Sequence, residues 1–367
     1  MKENPYLVKE NDRLVITEAG YACLEKIITN TRGPVYAFTE RASPLLTAAA
    51  MARLSRRGSD LREIYLDEFI LSGEESASGV IDRVVTGFGD DSVQQLMPIS
   101  VVVEGASNIL TKKLEWGRFL AYLEQSTRYI YYDQKDSEGR YRYFTPKLPS
   151  EIQRTYQETL DAIFTIYSEM VRGITEYVRK KVQKPTDKKE RTAWLGATRA
   201  QACDAARVVL PAATTSTVGI VGSAQGIESL IIHLASEPLL ESRETAQILL
   251  EEARKVAGPF LKRADLPERG GAAIMYRMDT RGAMKNFADK YIHSKNICNE
   301  SPVELLDYWP KDELDIVPEM LFAESDRVPM KEIRKIVGGW DRPRKLEAFN
   351  TYVGKRLNRR HKPGRAI

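Results

Sequence analysis

Histidine and cysteine are scarce in this chain, with three of each among 367 residues. Cys23, Cys203 and Cys298 lie far apart with no C-x-x-C pair, which excludes a disulfide scaffold and a Cys-rich zinc site and fits a reducing cytoplasm. His233, His293 and His361 stand at no metal spacing, so no metal is expected, and no Ser/His/Asp or Cys/His pattern for a hydrolase is present. Neither G-x-G-x-x-G after a strand nor G-x-x-x-x-G-K-[ST] occurs, so any nucleotide must be held by side chains. The first ten residues carry acids and lack an apolar core, which predicts no secretory signal. The longest uncharged stretch, Val208 to Ile227, could span a bilayer by length but is broken by Pro211, Gly219 and Gly222. It reads as buried core, with no membrane partner.

What is present is an ordinary globular composition, 43% hydrophobic and 29% charged. The length predicts roughly two domains. A net charge of +4 does not by itself call for nucleic acid. Leu46–Ser55 and Leu61–Phe69 read as short helices, the second capped by Ser59 or Asp60. Ile99, Val101 and Val103 alternate as in a strand, and the period changes near Gly105 to a helical one through Leu114. Thr127–Asp133 and Arg140–Thr145 flank a turn signal at Asp136–Gly139 and predict a hairpin. A long helix is predicted from a Ser150/Gln153 capping box, with Ile152, Tyr156, Leu160, Ile163, Tyr167, Met170, Ile174 and Tyr177 on one face. Lys184–Arg191 reads as a solvated loop, and further helices are predicted over Ala197–Leu210, after Ser223, and from Pro238 towards Ala257.

The informative segment is Arg118 to Tyr129, in which Glu124, Ser126 and Arg128 alternate. In a strand all three face one way. They could surround one ligand, the guanidinium donating bidentately to a phosphate, or they could form a plain polar sheet face. Arg207 has its own ordinary reading, compensation of a helix end or an ion pair with Asp204. The hairpin tyrosines and His233 read as packed side chains.

Glu124-Gln-Ser-Thr-Arg-Tyr129 resembles the end of the signature of flavin-dependent thymidylate synthases, R-H-R-x-x-S-x-N-x-x-S-x-R-Y, and follows a predicted strand and helix as in that family. Ala52-Arg-Leu-Ser55 is similar to the family's A-R-V-S, Gly89-Asp-Asp-Ser92 to its G-H-x-[ST], and Ala206-Arg-Val-Val-Leu-Pro211 to its A-R-x-V-L-P. The resemblance runs from Pro34 to Asp265. Trp116, Gly117 and Arg118 replace the signature's Arg-His-Arg, Ala121 its first Ser, Leu123 its Asn, and Asp90 the His after Gly89. Ser223–Ser229 also lacks the family's Asn, Arg and His, so the resemblance implies a divergent branch without several of the family's flavin-binding side chains.

The resemblance implies an α+β, flavin-dependent thymidylate synthase-like fold with a mixed sheet and long flanking helices. It implies that Ser126, Arg128 and Arg207 bind dUMP with Glu124 beside it, and that Ser55, Ser92 and Arg118 face FAD. Reduced flavin would deliver hydride, methylene-tetrahydrofolate the carbon, and NADPH the reducing power, so no catalytic protein nucleophile is assigned. Met320–Ser325 with Met330–Arg334 parallels Ala50–Ser55 with Leu61–Ile64, and Val303–Tyr308 resembles the family's opening strand. The expected organisation is an extension over 1–33, a synthase-like domain over 34–265, a linker over 266–302, and over 303–367 the start of an incomplete second copy that stops short of a natural boundary. A homo-oligomer, or pairing between the repeats, is expected. Two rivals remain: a catalytically degenerate nucleotide-binding or scaffold copy, and a nucleic-acid binder using the six basic side chains of Tyr352–Ile367 together with the tyrosine hairpin.

Overall fold

The computed structural model describes residues 4–10, 13–54, 57–87, 91–292, 303, 305–322, 324–325 and 327–358. They divide into two units, Met1–Tyr291 and Ile292–Ile367. The first opens with an antiparallel hairpin, β1 (Leu7–Glu10) and β2 (Arg13–Ile16), and a helix α1 (Glu18–Leu24) capped by the Thr17 hydroxyl. Helix α2 (Pro44–Arg53) starts on a Ser43 cap and buries Ala48, Ala49, Ala50 and Ala52, small side chains that let neighbouring helices approach closely. Asp60 caps α3 (Leu61–Ile64), which runs on as a π-helical turn, Tyr65–Phe69. Helices α4 (Gly73–Ile81) and α5 (Asp91–Gln94) complete this helical opening.

The sheet follows. Strand β3 (Pro98–Ser107) breaks register between Val103 and Ala106, where Gly105 takes φ +68°, a value that favours glycine. Ser107 then caps α6 (Asn108–Leu114), so the predicted change of period is a bulge followed by a cap. Strand β4 (Leu120–Glu124), the long pair α7 (Ser150–Lys181) and α8 (Lys188–Ala206), and strand β5 (Thr215–Ser223) come next. Their order in the sheet is β3-β5-β4, with β5 central. The α+β class holds, but both pairings are antiparallel where a mixed sheet was expected. Ser216, Val218 and Ile220 of β5 are buried, with Ala224 and Ile227 beyond, so the long uncharged stretch is core in part, while Val208 and Val221 are exposed. Among the described residues no helix is long and apolar enough to cross a membrane. Helices α9 (Ala224–Ala235, capped by Ser223), α10 (Leu240–Leu261) and α11 (Gly270–Tyr291) close the unit.

Several expectations need correction. The strands of the predicted Thr127–Thr145 hairpin do not form: only the Asp136–Gly139 turn and one bridge, Tyr143 to Thr214, are present. The aromatic side chains pack on α7 and α8 instead, and that burial outweighs ladder pairing. Helix α7 is preceded by Pro149, with no capping box, and its buried stripe is Leu160, Phe164, Tyr167, Val171 and Val178, leaving Ile152 and Tyr177 exposed. Lys188–Arg191 is helical because Asp187 accepts from the N–H groups of Lys189 and Glu190. Gly270–Tyr291, expected within a linker, is helix α11.

In the second unit, α12 (Val317–Phe322), α13 (Met330–Gly338) and α14 (Arg342–Val353) enclose Leu314, Val317, Met320, Ile333 and Val337. Phe349 and Tyr352 of α14 pack against this cluster. At Val303 and over 305–308, within the expected opening strand, no strand forms, and Leu305 and Leu306 are exposed.

Tyr132, Phe164, Tyr167, Val171, Cys203 and Ala206 form a separate buried cluster between the Tyr-rich segment and α7/α8. Tyr132→Ala leaves a large hole there, so a loss of about 3–5 kcal/mol is expected. Denaturant unfolding checks this, and a loss below about 1 kcal/mol would show that the Tyr-rich segment is only loosely attached.

Candidate nucleotide-binding site

Strand β4 ends at Glu124, but Gln125 stays tied to the sheet, its N–H donating to Thr217 O at 2.9 Å and its Oε1 accepting from Arg142 at 3.0 Å. The chain then turns, with the N–H groups of Tyr129 and Ile130 donating to Ser126 O at 3.0 and 3.1 Å. Just beyond, Tyr132 is fully buried edge-on to Tyr167, and the Arg199 guanidinium lies 3.0 Å above the Tyr131 ring. Burial pushes the Tyr132 hydroxyl pKa up, so it stays protonated. These contacts deliver the turn to the end of α8.

There Arg128 Nε and Arg207 Nη2 both form ion pairs with Asp204 Oδ1, each at 3.0 Å. The two guanidinium side chains remain 53% and 40% exposed. Each carries five N–H donors, so most donors remain for a ligand. One carboxylate between two guanidiniums leaves one positive charge in excess. Ser126 Oγ accepts from the Arg128 N–H at 3.3 Å, and its own O–H is left to donate. Two of the four predicted dUMP residues, Arg128 and Arg207, therefore meet at Asp204, with Ser126 two residues before Arg128 in the same turn. Glu124 is paired instead with Lys112, Nζ to Oε2 2.9 Å. The three groups do not share a strand face as the alternation suggested, because the strand stops at Glu124 and Arg128 lies in the turn.

The predicted flavin residues fall elsewhere. Ser55 lies outside the described residues, as do Gly89 and Asp90. Arg118 is exposed in the turn before β4, and its side chain has no hydrogen bond or ion pair among the described residues. Ser92 is exposed on α5, and Gln95, just past that helix, donates to Gln225 Oε1 at 2.8 Å in the first turn of α9. Leu120 pairs with Gly222 and Glu124 with Val218, so Arg118 and Arg128 flank opposite ends of a strand about 14 Å long.

Sequence reasoning missed two features. The Arg207–Asp204 ion pair is one the sequence offered, but the second link of Asp204, to Arg128, depends on tertiary packing. Trp116 stacks on His233 at 4.2 Å and 7°, a contact with no periodic signal. Arg281 and Lys113 reach Glu237 at 3.1 and 2.8 Å beside this stack. Among the described residues no group of acids, His and Cys could hold a metal ion.

Residues 38–258 match the family described as thymidylate synthase complementing protein. The chain belongs to this family. It is 28% identical over 366 residues to a UPF0159 protein of Chlamydia muridarum, covering 94% of this chain and 68% of that relative. It is 28% identical over 255 residues to UPF0159 protein Ta1429 of Thermoplasma acidophilum, covering 62% of this chain and 50% of the relative. Solved structures with a similar outline include flavin-dependent thymidylate synthase of Helicobacter pylori complexed with FAD and dUMP (14% identity, 57% of this chain and 88% of that one, TM-score 0.40). Another is the UMP/dUMP methylase PolB of Streptomyces cacaoi bound with 5-Br dUMP (17% identity, 61% and 90%, TM-score 0.41). Family membership rests on the sequence match, which contains Arg118, Glu124, Ser126, Arg128 and Arg207.

The His233 environment gives this family member a pH signature. Burial lowers its pKa; Glu237 opposes the shift, while Arg277, Lys113 and Arg281 add to it. The folded pKa thus lies below the unfolded value of about 6.5, and the unfolded chain takes up the proton first. This group costs nothing above about pH 6.5 and removes stability as pH falls below it. Melts of wild type and His233→Phe, compared from about pH 8 to about pH 5, should show a shallower acid loss in the variant. Parallel curves would sink the assignment.

Proposed function

We propose that this chain is a flavin-dependent thymidylate synthase-like enzyme that methylates dUMP to dTMP, with FAD as cofactor and methylene-tetrahydrofolate and NADPH as cosubstrates. The observation that carries the reading is the convergence of Arg128 and Arg207 on Asp204, which holds two half-exposed guanidiniums side by side with donors to spare. A phosphate monoester fits such a pair, since each guanidinium can donate bidentately and the net charge of the cluster is positive. The Ser126 hydroxyl adds a donor at its edge. The exposed Arg118, without a side-chain partner among the described residues, fits the anionic diphosphate of FAD, with Ser92 at the same end of the sheet. When bound, the flavin supplies the hydride chemistry, which is why three histidines and three cysteines suffice.

The chain's own part is binding and orientation. Arg128, Arg207 and Ser126 hold the phosphate end of the nucleotide. Asp204 keeps both guanidiniums in place before the ligand arrives, which lowers the ordering cost of binding. Glu124, held by its ion pair with Lys112, is the residue proposed to lie beside the nucleotide.

Calorimetric titration of dUMP tests the phosphate clamp. Arg128→Ala and Arg207→Ala should each weaken binding by about 1.5–3 kcal/mol, with circular dichroism confirming the fold. Unchanged affinity in folded protein would remove that arginine from the site. The replacement of the family's Arg-His by Trp116-Gly117 favours a second reading, a catalytically degenerate nucleotide-binding copy. Tight dUMP binding without dTMP formation in the presence of FAD, methylene-tetrahydrofolate and NADPH would select it.

A further inference from the structure

We propose that Trp116 is a stacking platform for the flavin ring, standing in for the Arg-His pair that this chain lacks; the inference rests on the flavin-dependent reading above. The turn from Glu115 to Phe119 is built rather than loose. Glu115 N–H donates to Thr111 O at 2.9 Å, and the Tyr122 hydroxyl accepts from Gly117 N–H at 3.0 Å while donating to Gly117 O at 2.8 Å. Trp116 rests flat on His233, 4.2 Å between ring centroids and 7° from parallel, yet stays 52% exposed. Phe119, three residues on, is 88% exposed. Trp116 is thus a large aromatic held in place while half exposed, three residues from a second exposed one.

The arrangement has a chemical reading. An indole held flat by a second ring offers a rigid π face at little entropic cost. Two residues further along, the Arg118 guanidinium is exposed and its side chain has no partner among the described residues. A planar face two residues along the chain from such a cation fits a planar heteroaromatic ring that carries an anionic tail. Flavin dinucleotide and a reduced folate share that chemistry. Flavin is the assignment here, because Ser92 and the Gln95–Gln225 contact lie at the same end of the sheet as the turn. The neutral form of His233, favoured by burial, suits a ring that backs a stack without adding charge.

Titration of the full chain with FAD, read by tryptophan quenching and independently by equilibrium dialysis, tests the proposal. Wild type should bind FAD with quenching that Trp116→Phe abolishes in part, while that variant keeps its affinity within about fivefold. Trp116→Ala should weaken FAD roughly 5- to 150-fold, the range for loss of one aromatic stack. Trp116→Ala protein that is folded and binds FAD like wild type would overturn the inference, as would weakened binding with no Trp116-dependent quenching. Quenching by tetrahydrofolate but not by FAD would overturn the flavin assignment. Failure of wild type to bind FAD by dialysis would instead defeat the flavin-dependent reading itself, and this inference with it.

Discussion

Burial of Tyr132 is the constraint on which the candidate site depends. β4 and the end of α8 are distant in sequence, and no ladder hydrogen bond joins them. Besides the β4–β5 ladder, which brings the chain beyond α8 alongside β4, their relation is set by an aromatic side chain, fully removed from water, among Phe164, Tyr167, Cys203 and Ala206. Full burial of a side chain this size stabilises by about 1.5–3 kcal/mol, enough to order the short segment from Ser126 to Tyr132. With that segment placed, Arg128 has Asp204 within reach. Tyr141 and Tyr143 pack on the same cluster from the far side of the Asp136–Gly139 turn. Burial, with a hydrogen bond to Asp161 at 3.0 Å, pushes the Tyr143 pKa up to about 12, so the support stays neutral.

Electrostatics then act within this frame. Exposed ion pairs contribute only about 0–1 kcal/mol each, and those of Asp204 are roughly half exposed, so they are not what holds the fold together. Their consequence is orientation. Without the carboxylate, two like charges would be brought together by packing alone, and both side chains would swing apart into solvent. With it, the two guanidiniums stay side by side, the arrangement on which the proposed phosphate clamp rests. The second aromatic construction, Trp116 on His233, follows the same logic at the other end of β4, where hydrogen bonds from Tyr122 shape the turn and leave Arg118 open.

Much of the fold was legible in the sequence because its signals were local. Period-2 alternation at Ile99, Val101 and Val103, the cap residues Asp60 and Ser223, and the long apolar stripe of α7 each report on neighbours within a few residues. The hairpin failed for the opposite reason. Its β-rich tyrosine runs obey propensity, but a neighbouring helix pair offered their rings more burial than a two-stranded ladder could. The site was legible in part. Ser126, Arg128 and Arg207 carried the family resemblance, whereas the pairing of Glu124 with Lys112, the sharing of Asp204 and the Trp116–His233 stack arise only when separate elements meet.

The central claim is that Arg128 and Arg207 act as one phosphate clamp rather than as two independent surface charges. A double-mutant cycle measures this most directly: dUMP affinity of wild type, Arg128→Ala, Arg207→Ala and the double variant, with 2′-deoxyuridine as the phosphate-free reference. A single clamp predicts a coupling energy above about 0.5 kcal/mol for dUMP and none for deoxyuridine. Strictly additive losses, or equal losses for both ligands, would contradict it.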